Sequence, residues 1–386
     1  MSENFVVTAT APVNIATIKY WGKKDEKLII PVNDSISATL SSDYMCAKTT
    51  IAISPNFEKD QIWLNGIEES IENPRLLNCI RNIKNKAKIG TDKLKWKIHI
   101  CSENNFPTAA GLASSSAGYA CLVYALSHIY NVKENISDIA RQGSGSACRS
   151  IYGGFVQWYT GIKNDGSDSI ALQLAPASHW PEMRVIILVV NDKQKKTSST
   201  IGMQRTVETS KLLHYRVKYC VQGHIDKMIQ AIKNKNFDLF AEITMRDSNQ
   251  FHAVCLDTYP PAIYMNDTSH AIASFVHEYN AAANSYKVAY TFDAGPNACL
   301  FTLEKNVPAL LYTITKVFPT SGSVKDYITG IPINIENKSI NAPEINISMQ
   351  SDLLKYVIYT KVGEGPTLLP DTESLLNREG LPLRLA

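Results

Sequence analysis

A strand-like segment, a loop of small residues and a helical pattern follow one another directly in the first third of the chain. Residues 93–106 form the strand-like run KLKWKIHICSENNF, and residues 107–118 read PTAAGLASSSAG. Beyond the loop, Leu122, Leu126 and Ile129 recur at the i, i+4, i+7 spacing of one helix face. A helix N-terminus offers unpaired backbone N–H groups and the positive end of the helix dipole, and small residues let a ligand approach closely. This order of elements predicts a phosphate-binding loop over 107–118.

The loop alone does not identify its ligand. It matches neither GxxxxGK[ST] nor GxGxxG, since no lysine follows the glycine. A serine N-cap on a buried helix would also produce a run of small residues. The strand before the loop and the amphipathic helix after it favour phosphate binding over that alternative.

The length and the distribution of patterns predict an α+β fold. With 386 residues the chain exceeds one ordinary core, and 45% hydrophobic and 19% charged residues are typical of a globular protein. Strand-like runs occur near the N-terminus, at 183–192 and at 287–303, with helical patterns between the last two. We predict two domains, 1–190 and 191–386, each a sheet layered with helices. The Asn- and Ile-rich stretch 331–350 is expected to be a poorly packed insertion or loop.

Charge, hydropathy and cysteine usage exclude several classes of protein. The formal net charge of +3 provides no global basic field for nucleic acid. No run approaches the roughly 18 apolar residues of a membrane helix, and the N-terminus lacks the pattern of a signal peptide. The eight cysteines are scattered, with no CxxC pair and no zinc-type spacing. These features predict a cytoplasmic protein without nucleic-acid or membrane partners.

Three further segments carry residues suited to anions or proton transfer. Residues 141–150, RQGSGSACRS, combine hydroxyls and glycines with Arg149, whose guanidinium can grip a carboxylate or phosphate at two points. Residues 18–25, IKYWGKKD, place lysines around an aromatic pair. Residues 291–298, TFDAGPNA, place Asp293 between an apolar strand and a Gly-Pro turn. A flexible polar turn, surface lysines beside a half-buried tryptophan, and a turn-capping carboxylate are the respective alternatives.

The motifs together carry a resemblance to a known family. APVNIATIKYWGK, FPTAAGLASSSAG, GSGSACRS, MNDTS and TFDAGPNA, in this order, closely resemble the eukaryotic-type mevalonate diphosphate decarboxylases, which belong to the GHMP kinase superfamily. The resemblance spans residues 5 to 330 and implies a GHMP-kinase-like two-domain fold with the active site in the cleft between domains. It implies conversion of (R)-mevalonate 5-diphosphate and ATP to isopentenyl diphosphate, ADP, phosphate and CO₂ in isoprenoid and sterol biosynthesis. Mg²⁺ as cofactor and a homodimeric assembly are implied in the same way.

The resemblance also implies residue roles. Asp293 corresponds to the catalytic carboxylate, Arg149 holds the substrate carboxylate, and Asn14 supports Arg149 by a hydrogen bond. Lys19 assists the transferring phosphoryl group, and Ser115 contacts the ATP phosphates or the magnesium ion. The implied substrate contacts are Tyr20, Trp21, Gly22, Lys23, Arg75, Ser144, Gly145, Ser146, Ala147, Cys148, Arg149, Ser199 and Thr200. The implied ATP contacts are Pro107, Ala110, Gly111, Leu112, Ala113, Ser114 and Ser115.

Two positions depart from the family pattern. Some bacterial members carry arginine where this chain has Thr200, so one diphosphate contact is weaker here or is supplied by another residue. The loop has a third serine, Ser116, where many relatives have alanine, and no role is assigned to it. For Arg75, a plain helix-surface arginine is the alternative to a substrate contact.

Two other functions remain open from the sequence. A GHMP small-molecule kinase that stops after phosphorylation would share the fold, the ATP loop and the magnesium ion. A catalytically inactive relative that senses a ligand would be expected to lose its acid–base residues, whereas Asp293, Lys19 and Arg149 are all present.

Overall fold

The described residues form β-sheets with α-helices packed against them. The computed structural model describes residues 4–106, 114–190, 197–335, 342–345, 347 and 349–385. The strands are β1 Phe5–Pro12, β2 Asn14–Ile18, β3 Lys23–Asp25, β4 Ile30–Pro31, β5 Ser35–Thr39, β6 Cys46–Ser54, β7 Gln61–Leu64, β8 Ile67–Glu69, β9 Lys97–Asn104, β10 Phe155–Trp158, β11 Ala171–Ala175, β12 Met183–Val189, β13 Val288–Phe292, β14 Ala298–Leu303, β15 Ile328–Gly330, β16 Tyr356–Lys361 and β17 Thr367–Leu369. The helices are α1 Pro74–Asn85, α2 Ser114–Ile129, α3 Ser137–Gly143, α4 Ala147–Ser150, α5 Ser199–Thr209, α6 Lys211–Tyr219, α7 Val221–Lys233, α8 Phe237–Asp257, α9 Asp267–Ala282, α10 Val307–Val317 and α11 Val324–Tyr327. Short 3₁₀ helices cover Lys93–Lys95, Ala177–His179, Glu304–Asn306 and Asp371–Glu373.

The first sheet supports the helix that follows the glycine- and serine-rich loop. Its six strands run in the order β17-β1-β6-β9-β7-β8, with β6 antiparallel to both β1 and β9. Helix α2 packs across β1 and β6 through a buried face that includes Ala117, Cys121 and Leu126. The predicted strand and helix on either side of the loop are therefore confirmed as β9 and α2.

The second sheet brings the end of β2 to the middle of the molecule. Its four strands run in the order β11-β10-β5-β2, which makes β2 an edge strand. All five β2 residues are nevertheless buried, because α7 and α8 lie against the strand. The helices thus cover a sheet edge that would otherwise expose unpaired backbone groups.

The third sheet carries the turn that holds Asp293. Its strands run in the order β13-β14-β12-β16-β15, and every residue of β12 is buried, as expected for a continuous apolar run. The predicted strand 287–303 is a hairpin, in which β13 and β14 pair from Val288↔Thr302 to Phe292↔Ala298. Asp293 begins the connecting turn, and α8 and α9 pack against β13.

The sheets do not follow a simple division of the chain. Strand β12 precedes residue 190 but pairs with β14 and β16, and β17 returns from the C-terminal part to pair with β1. The proposed boundary at residue 190 stays a prediction, and this pairing favours a division in front of β12.

The stretch 331–350 differs from expectation in its packing. Its described residues contain no helix or strand, as predicted. Ile335 is buried, however, and Ile331, Ile333 and Ile345 pack against the main core. These four isoleucines therefore hold the described part of the loop against the core. Within the described residues, no helix has the length and apolar character needed to cross a membrane.

Candidate active site

A cavity of about 470 Å³ lies where the end of β2, the start of α2, the start of α5 and the β13–β14 turn meet. Most of the residues that the sequence singled out line it. They are Asn14, Lys19, Tyr20, Trp21, Lys23, Arg75, Ser114, Ser115, Ser144, Gly145, Ser146, Arg149, Ser199, Thr200 and Asp293. The structure therefore gathers segments between Asn14 and Ala294 around one space.

Lys19 and Asp293 form an ion pair at the cavity wall. The Lys19 Nζ donates to Asp293 Oδ1 at 2.6 Å, across 274 residues of sequence. The lysine side chain is only 3% exposed, whereas the aspartate is 32% exposed. A buried ammonium requires an anionic partner, which fixes one carboxylate oxygen in place. The other carboxylate oxygen has no hydrogen-bond donor among the described residues.

The turn that presents Asp293 is held by the MNDTS segment. Asn266 caps α9 and forms a capping box with Ser269, whose hydroxyl donates to the carbonyl of Pro296 at 2.9 Å. Within the turn, the Gly295 N–H donates to the Asp293 carbonyl at 2.7 Å. The motif at the start of α9 thus fixes the Gly-Pro turn beside the cavity.

Arg149 is a buried cation whose orientation is set by neutral side chains. Its Nη1 donates to Ser35 Oγ at 2.7 Å and its Nε donates to Asn14 Oδ1 at 3.2 Å. Asn14 is oriented in turn by donating to the Ser146 carbonyl at 2.9 Å and to Ser150 Oγ at 2.8 Å. Burial lowers the pKa of Arg149, but a guanidinium keeps its charge in proteins. No acidic side chain is bonded to this cation among the described residues, so it is available to an anion in the cavity.

Tyr20 contributes a hydroxyl without a protein partner. The hydroxyl oxygen is buried and has no hydrogen bond in the described structure. Its ring packs against Trp158 with centroids 4.6 Å apart, and burial raises its pKa. Gly145 fits closely here, because a Cβ at that position would meet the Tyr20 ring and hydroxyl at 2.9 Å. A buried polar group at a cavity wall is satisfied when a ligand supplies the hydrogen bond.

The start of α2 faces both this cavity and a second one. Ser115 Oγ lies 3.3 Å from Ser144 Oγ, which links the helix to the 141–150 segment. A second cavity of about 340 Å³ shares Ser114 and Ser115 with the first, and its wall includes Leu64 and Tyr119. The two spaces therefore meet at the helix N-terminus. The predicted ATP contacts Pro107, Ala110, Gly111, Leu112 and Ala113 lie outside the described residues.

Two helix starts add polar groups at the rim. Asn73 caps α1 and Pro74 occupies its first turn, which places the exposed Arg75 at the cavity. The Ser198 side chain caps α5 by accepting the N–H of Ile201, so the helix dipole directs its positive end toward the cavity.

Three predicted substrate contacts do not line the cavity. Ala147 and Cys148 are fully buried, and the Cys148 thiol donates to the Gly145 carbonyl at 3.1 Å. Burial raises the pKa of Cys148 to about 12. Gly22 has φ +94°, and a Cβ there would meet Val207 at 2.9 Å, so glycine is required for the backbone turn. These three residues lie behind the residues that line the cavity, because their side-chain positions face the core.

Several functional neighbours are not evident from the sequence. The cavity is also lined by Ala16, Ile29, Ser198, Met203, Phe251 and Ala294. Behind Lys19 lies Asp247, fully buried and bonded to Arg216 and His224 at 2.8 and 2.9 Å. Burial works to raise the pKa of Asp247, but Arg216 and the hydrogen bonds outweigh it and hold that pKa below its usual value. The sequence signal that could have pointed to Asp247 is the uninterrupted polar run RDSNQ, residues 246–250, within a helical pattern.

His252 lies behind the ion pair and makes stability depend on pH. Burial and the nearby Lys19 ammonium lower the pKa of His252 from 6.5 to about 3. Below pH 6.5 protons therefore bind the unfolded chain more than the folded protein. The contribution of the neutral His252 to the free energy of unfolding is complete above pH 6.5 and decreases progressively toward pH 3. Between pH 7 and pH 5 the single group should account for a loss of about 2 kcal/mol. A His252→Gln variant should lose that much less stability over this interval in urea unfolding, whereas the exposed-site variant His214→Gln should match the wild type. Equal pH slopes for all three proteins would contradict the assignment.

The acidic residues and histidines of the described segments do not form a metal site by themselves. Among the described residues, no group of three or more His, Cys, Asp or Glu side chains could hold a metal ion. Mg²⁺ in nucleotide sites is usually held by phosphate oxygens, waters and one or two protein oxygens. The Ser115 hydroxyl at the junction of the two cavities fits that kind of site.

Comparisons with known proteins identify the family. Residues 11–171 match the family model for the diphosphomevalonate decarboxylase-like N-terminal domain, and residues 185–369 match that for the mevalonate 5-diphosphate decarboxylase C-terminal domain. Diphosphomevalonate decarboxylase from Danio rerio is 50% identical, with 100% of both chains covered.

Solved structures show the same fold. Mevalonate diphosphate decarboxylase from Trypanosoma brucei superimposes with a TM-score of 0.91 at 37% identity, covering 97% of this chain and 100% of that one. The structure of MDDEF in complex with MVAPP, AMPPCP and magnesium gives a TM-score of 0.75 at 30% identity, covering 95% of this chain and 99% of that one. These likenesses confirm the α+β, GHMP-kinase-like fold class. The chain belongs to the mevalonate diphosphate decarboxylase family.

Proposed function

We propose that the 470 Å³ cavity is the site at which this family member converts (R)-mevalonate 5-diphosphate and ATP to isopentenyl diphosphate, ADP, phosphate and CO₂. The observation that carries the proposal is that two chemically different groups line one cavity. The Lys19–Asp293 pair suits a hydroxyl that receives a phosphoryl group, and the Arg149 cation suits a carboxylate that is lost. A kinase that only phosphorylates the hydroxyl needs the Lys19–Asp293 pair but not the Arg149 cation.

Asp293 is the group that contacts the C3 hydroxyl. Its Oδ1 is fixed by Lys19, and its carboxylate is partly exposed to the cavity. Phosphoryl transfer has a loose transition state in which the attacking oxygen gains little charge early. Asp293 therefore acts first as an orienting acceptor for the hydroxyl proton and then as the base that removes it.

Lys19 has two effects in the same step. It fixes the carboxylate by a 2.6 Å hydrogen bond, and its ammonium adds positive charge beside the transferring phosphoryl group. Charge that is already oriented before the reaction stabilises a transition state without reorganisation.

Arg149 orients the substrate carboxylate. After transfer, the C3–O bond to phosphate breaks, the C1–C2 electron pair forms the double bond, and CO₂ leaves. Too strong a pairing with Arg149 would stabilise the carboxylate ground state and slow that loss. The hydrogen bonds to Ser35 and Asn14 hold the guanidinium in place, so it can align the carboxylate.

The diphosphate of the substrate is bound by the remaining polar wall. Lys23 and Arg75 supply cations, and Tyr20, Ser144 and Ser199 supply hydroxyls. Lys23 already pairs with Glu26 at 2.5 Å, so it is oriented before a ligand enters. Thr200, at the N-terminus of α5, supplies a hydroxyl where an arginine stands in some bacterial members.

ATP takes the junction of the two cavities. The phosphates lie at the N-terminus of α2 with Ser115, and the second cavity, with Leu64 and Tyr119 in its wall, accepts the less polar part of the nucleotide. Mg²⁺ held between the ATP phosphates and Ser115 would neutralise charge on the transferring group. The complex of MDDEF with MVAPP, AMPPCP, an ATP analogue, and magnesium supports ATP and magnesium as ligands of this protein.

The deciding experiment compares ADP and CO₂ from the same reaction. Purified protein is incubated with ATP, magnesium and mevalonate 5-diphosphate labelled in the carboxyl group. We expect one CO₂ for each ADP, and no turnover after magnesium is removed with EDTA. ADP without CO₂ would identify a kinase, and release of neither product would favour an inactive relative. The homodimer and the cytoplasmic location stay predictions.

A further inference from the structure

We propose that helix α8 is the element that sets the distance between Lys19 and Asp293, with Asp247 and Ser248 as its positioning residues. The two charged residues lie at the ends of strands in different sheets, β2 and β13. Their 2.6 Å contact therefore depends on how these two strand ends are held relative to each other. The proposal rests on the proposed role of Asp293, and it concerns residues that do not line the cavity.

Asp247 holds the backbone of Lys19. The Lys19 N–H donates to Asp247 Oδ2 at 2.7 Å. Lys19 follows the last residue of β2, an edge strand, so its N–H has no partner strand to bond. A buried N–H without an acceptor is costly, and Asp247 supplies the acceptor from α8.

Arg216 and Asn33 bond the backbone carbonyl of Lys19. Arg216 bonds both oxygens of Asp247, at 2.8 and 3.0 Å, and its Nη2 also lies 3.4 Å from the Lys19 carbonyl. Asn33 Nδ2 donates to that carbonyl at 3.0 Å. Both backbone groups of Lys19 are thus bound by buried side chains, and the peptide has little freedom to shift.

Ser248 holds the residue before Asp293. The Phe292 N–H donates to Ser248 Oγ at 3.0 Å, and His252 Nε2 lies 3.4 Å from the Phe292 carbonyl. Ser248 and His252 are spaced i, i+4, so they share one face of α8. That face is directed at the end of β13.

The adjacent face of α8 is directed at the end of β2. Asp247 and Phe251 are also spaced i, i+4; Phe251 packs on Trp21 with ring centroids 4.9 Å apart. Successive residues of a helix point about 100° apart, so consecutive residues can contact two different strands. One rigid helix therefore bonds the backbones on both sides of the ion pair.

The test compares two buried hydroxyls that bond opposite ends of β13. Ser248→Ala removes the bond near Asp293, and Thr302→Val removes the bond from Thr302 Oγ1 to the Lys287 carbonyl, 2.7 Å, at the far end. Misplacement of a reacting group by about 1 Å can lower the reaction rate ~10²-fold. Ser248→Ala removes one of several supports, so it should lower kcat about tenfold. KM for both substrates should change by less than about twofold. Thr302→Val should lower the thermal midpoint by about as much as Ser248→Ala does, but it should keep the wild-type kcat.

Equal kcat values for these two variants would overturn the positioning role. Asp247→Asn should lower kcat further, with the same unchanged KM values, but it leaves Arg216 without its anion and can prevent folding. Ser248→Ala keeps the proposal testable in that case. Asp293→Asn, measured alongside, separates the two claims. If Asp293→Asn has wild-type turnover, the proposed catalytic role fails; if it is impaired while Ser248→Ala is not, only the positioning role fails.

Discussion

An Asp293→Asn variant is expected to turn over about 10²–10⁴-fold more slowly than the wild type, the range that one positioned acid–base group usually contributes. Asparagine has nearly the same shape and can still accept the hydrogen bond from Lys19 Nζ. It cannot take the proton of the C3 hydroxyl. The measurement is magnesium- and ATP-dependent release of CO₂ at saturating substrates, with the affinity for ATP measured by titration on the same preparation.

The matched control for this variant is a carboxylate in an ion pair outside the cavity. Glu304 pairs with Arg184 at 2.7 Å, and neither residue lines the site. Glu304→Gln should keep turnover within about twofold, because this carboxylate is 60% exposed and lies outside the cavity. Wild-type CO₂ release by Asp293→Asn would remove Asp293 from the mechanism.

The products of Asp293→Asn also locate the step at which the residue acts. Phosphorylation comes before decarboxylation, so a defect in phosphoryl transfer lowers ADP and CO₂ together. A variant that forms ADP at the wild-type rate and releases little CO₂ would place Asp293 after the transfer. A loss well beyond ~10⁴-fold would indicate that the carboxylate also stabilises the positive charge at C3, since general-base catalysis alone does not reach that size.

The sequence predicts best those parts of the site that a local pattern controls. The order of strand, small-residue loop and amphipathic helix predicts β9 and α2, because period and composition act over a few residues. The run 287–303 is strand-like on both sides of the Gly-Pro turn at Asp293, and it forms the hairpin of β13 and β14, although the sequence does not predict that the two arms pair.

The parts that the sequence does not predict depend on contacts between distant segments. Ser35 orients Arg149 from 114 residues away, and Asp247 bonds Lys19 across 228 residues. Nothing near Ser35 in the sequence distinguishes it from any other strand serine. The packing of Ile335 against the core was missed for the same reason, because composition around it is typical of a loop.

Arg149→Gln is expected to lower turnover by about 10²-fold or more, because a misaligned carboxylate loses the geometry required for the departure of CO₂. Glutamine is neutral, so it cannot replace the cation or its two-point grip on a carboxylate. The affinity for ATP should stay within about twofold, since Arg149 contacts the acceptor side of the cavity only. Turnover is measured as CO₂ release, and ATP binding by titration of the free protein. An equal loss of ATP affinity would contradict the assignment.

Arg141 supplies the control, since it is another buried arginine with a different task. Its guanidinium donates to the carbonyls of Ser169 and Gly166 at 3.0 and 2.9 Å and also to that of Leu28, and it does not line the cavity. Arg141→Gln should therefore lower the thermal midpoint and leave the turnover of the folded fraction nearly unchanged. Arg149, by contrast, bonds only neutral side chains, Ser35 and Asn14, among the described residues. A buried cation held in this way is oriented without being neutralised, which is the state required to align a carboxylate that must still be free to leave as CO₂.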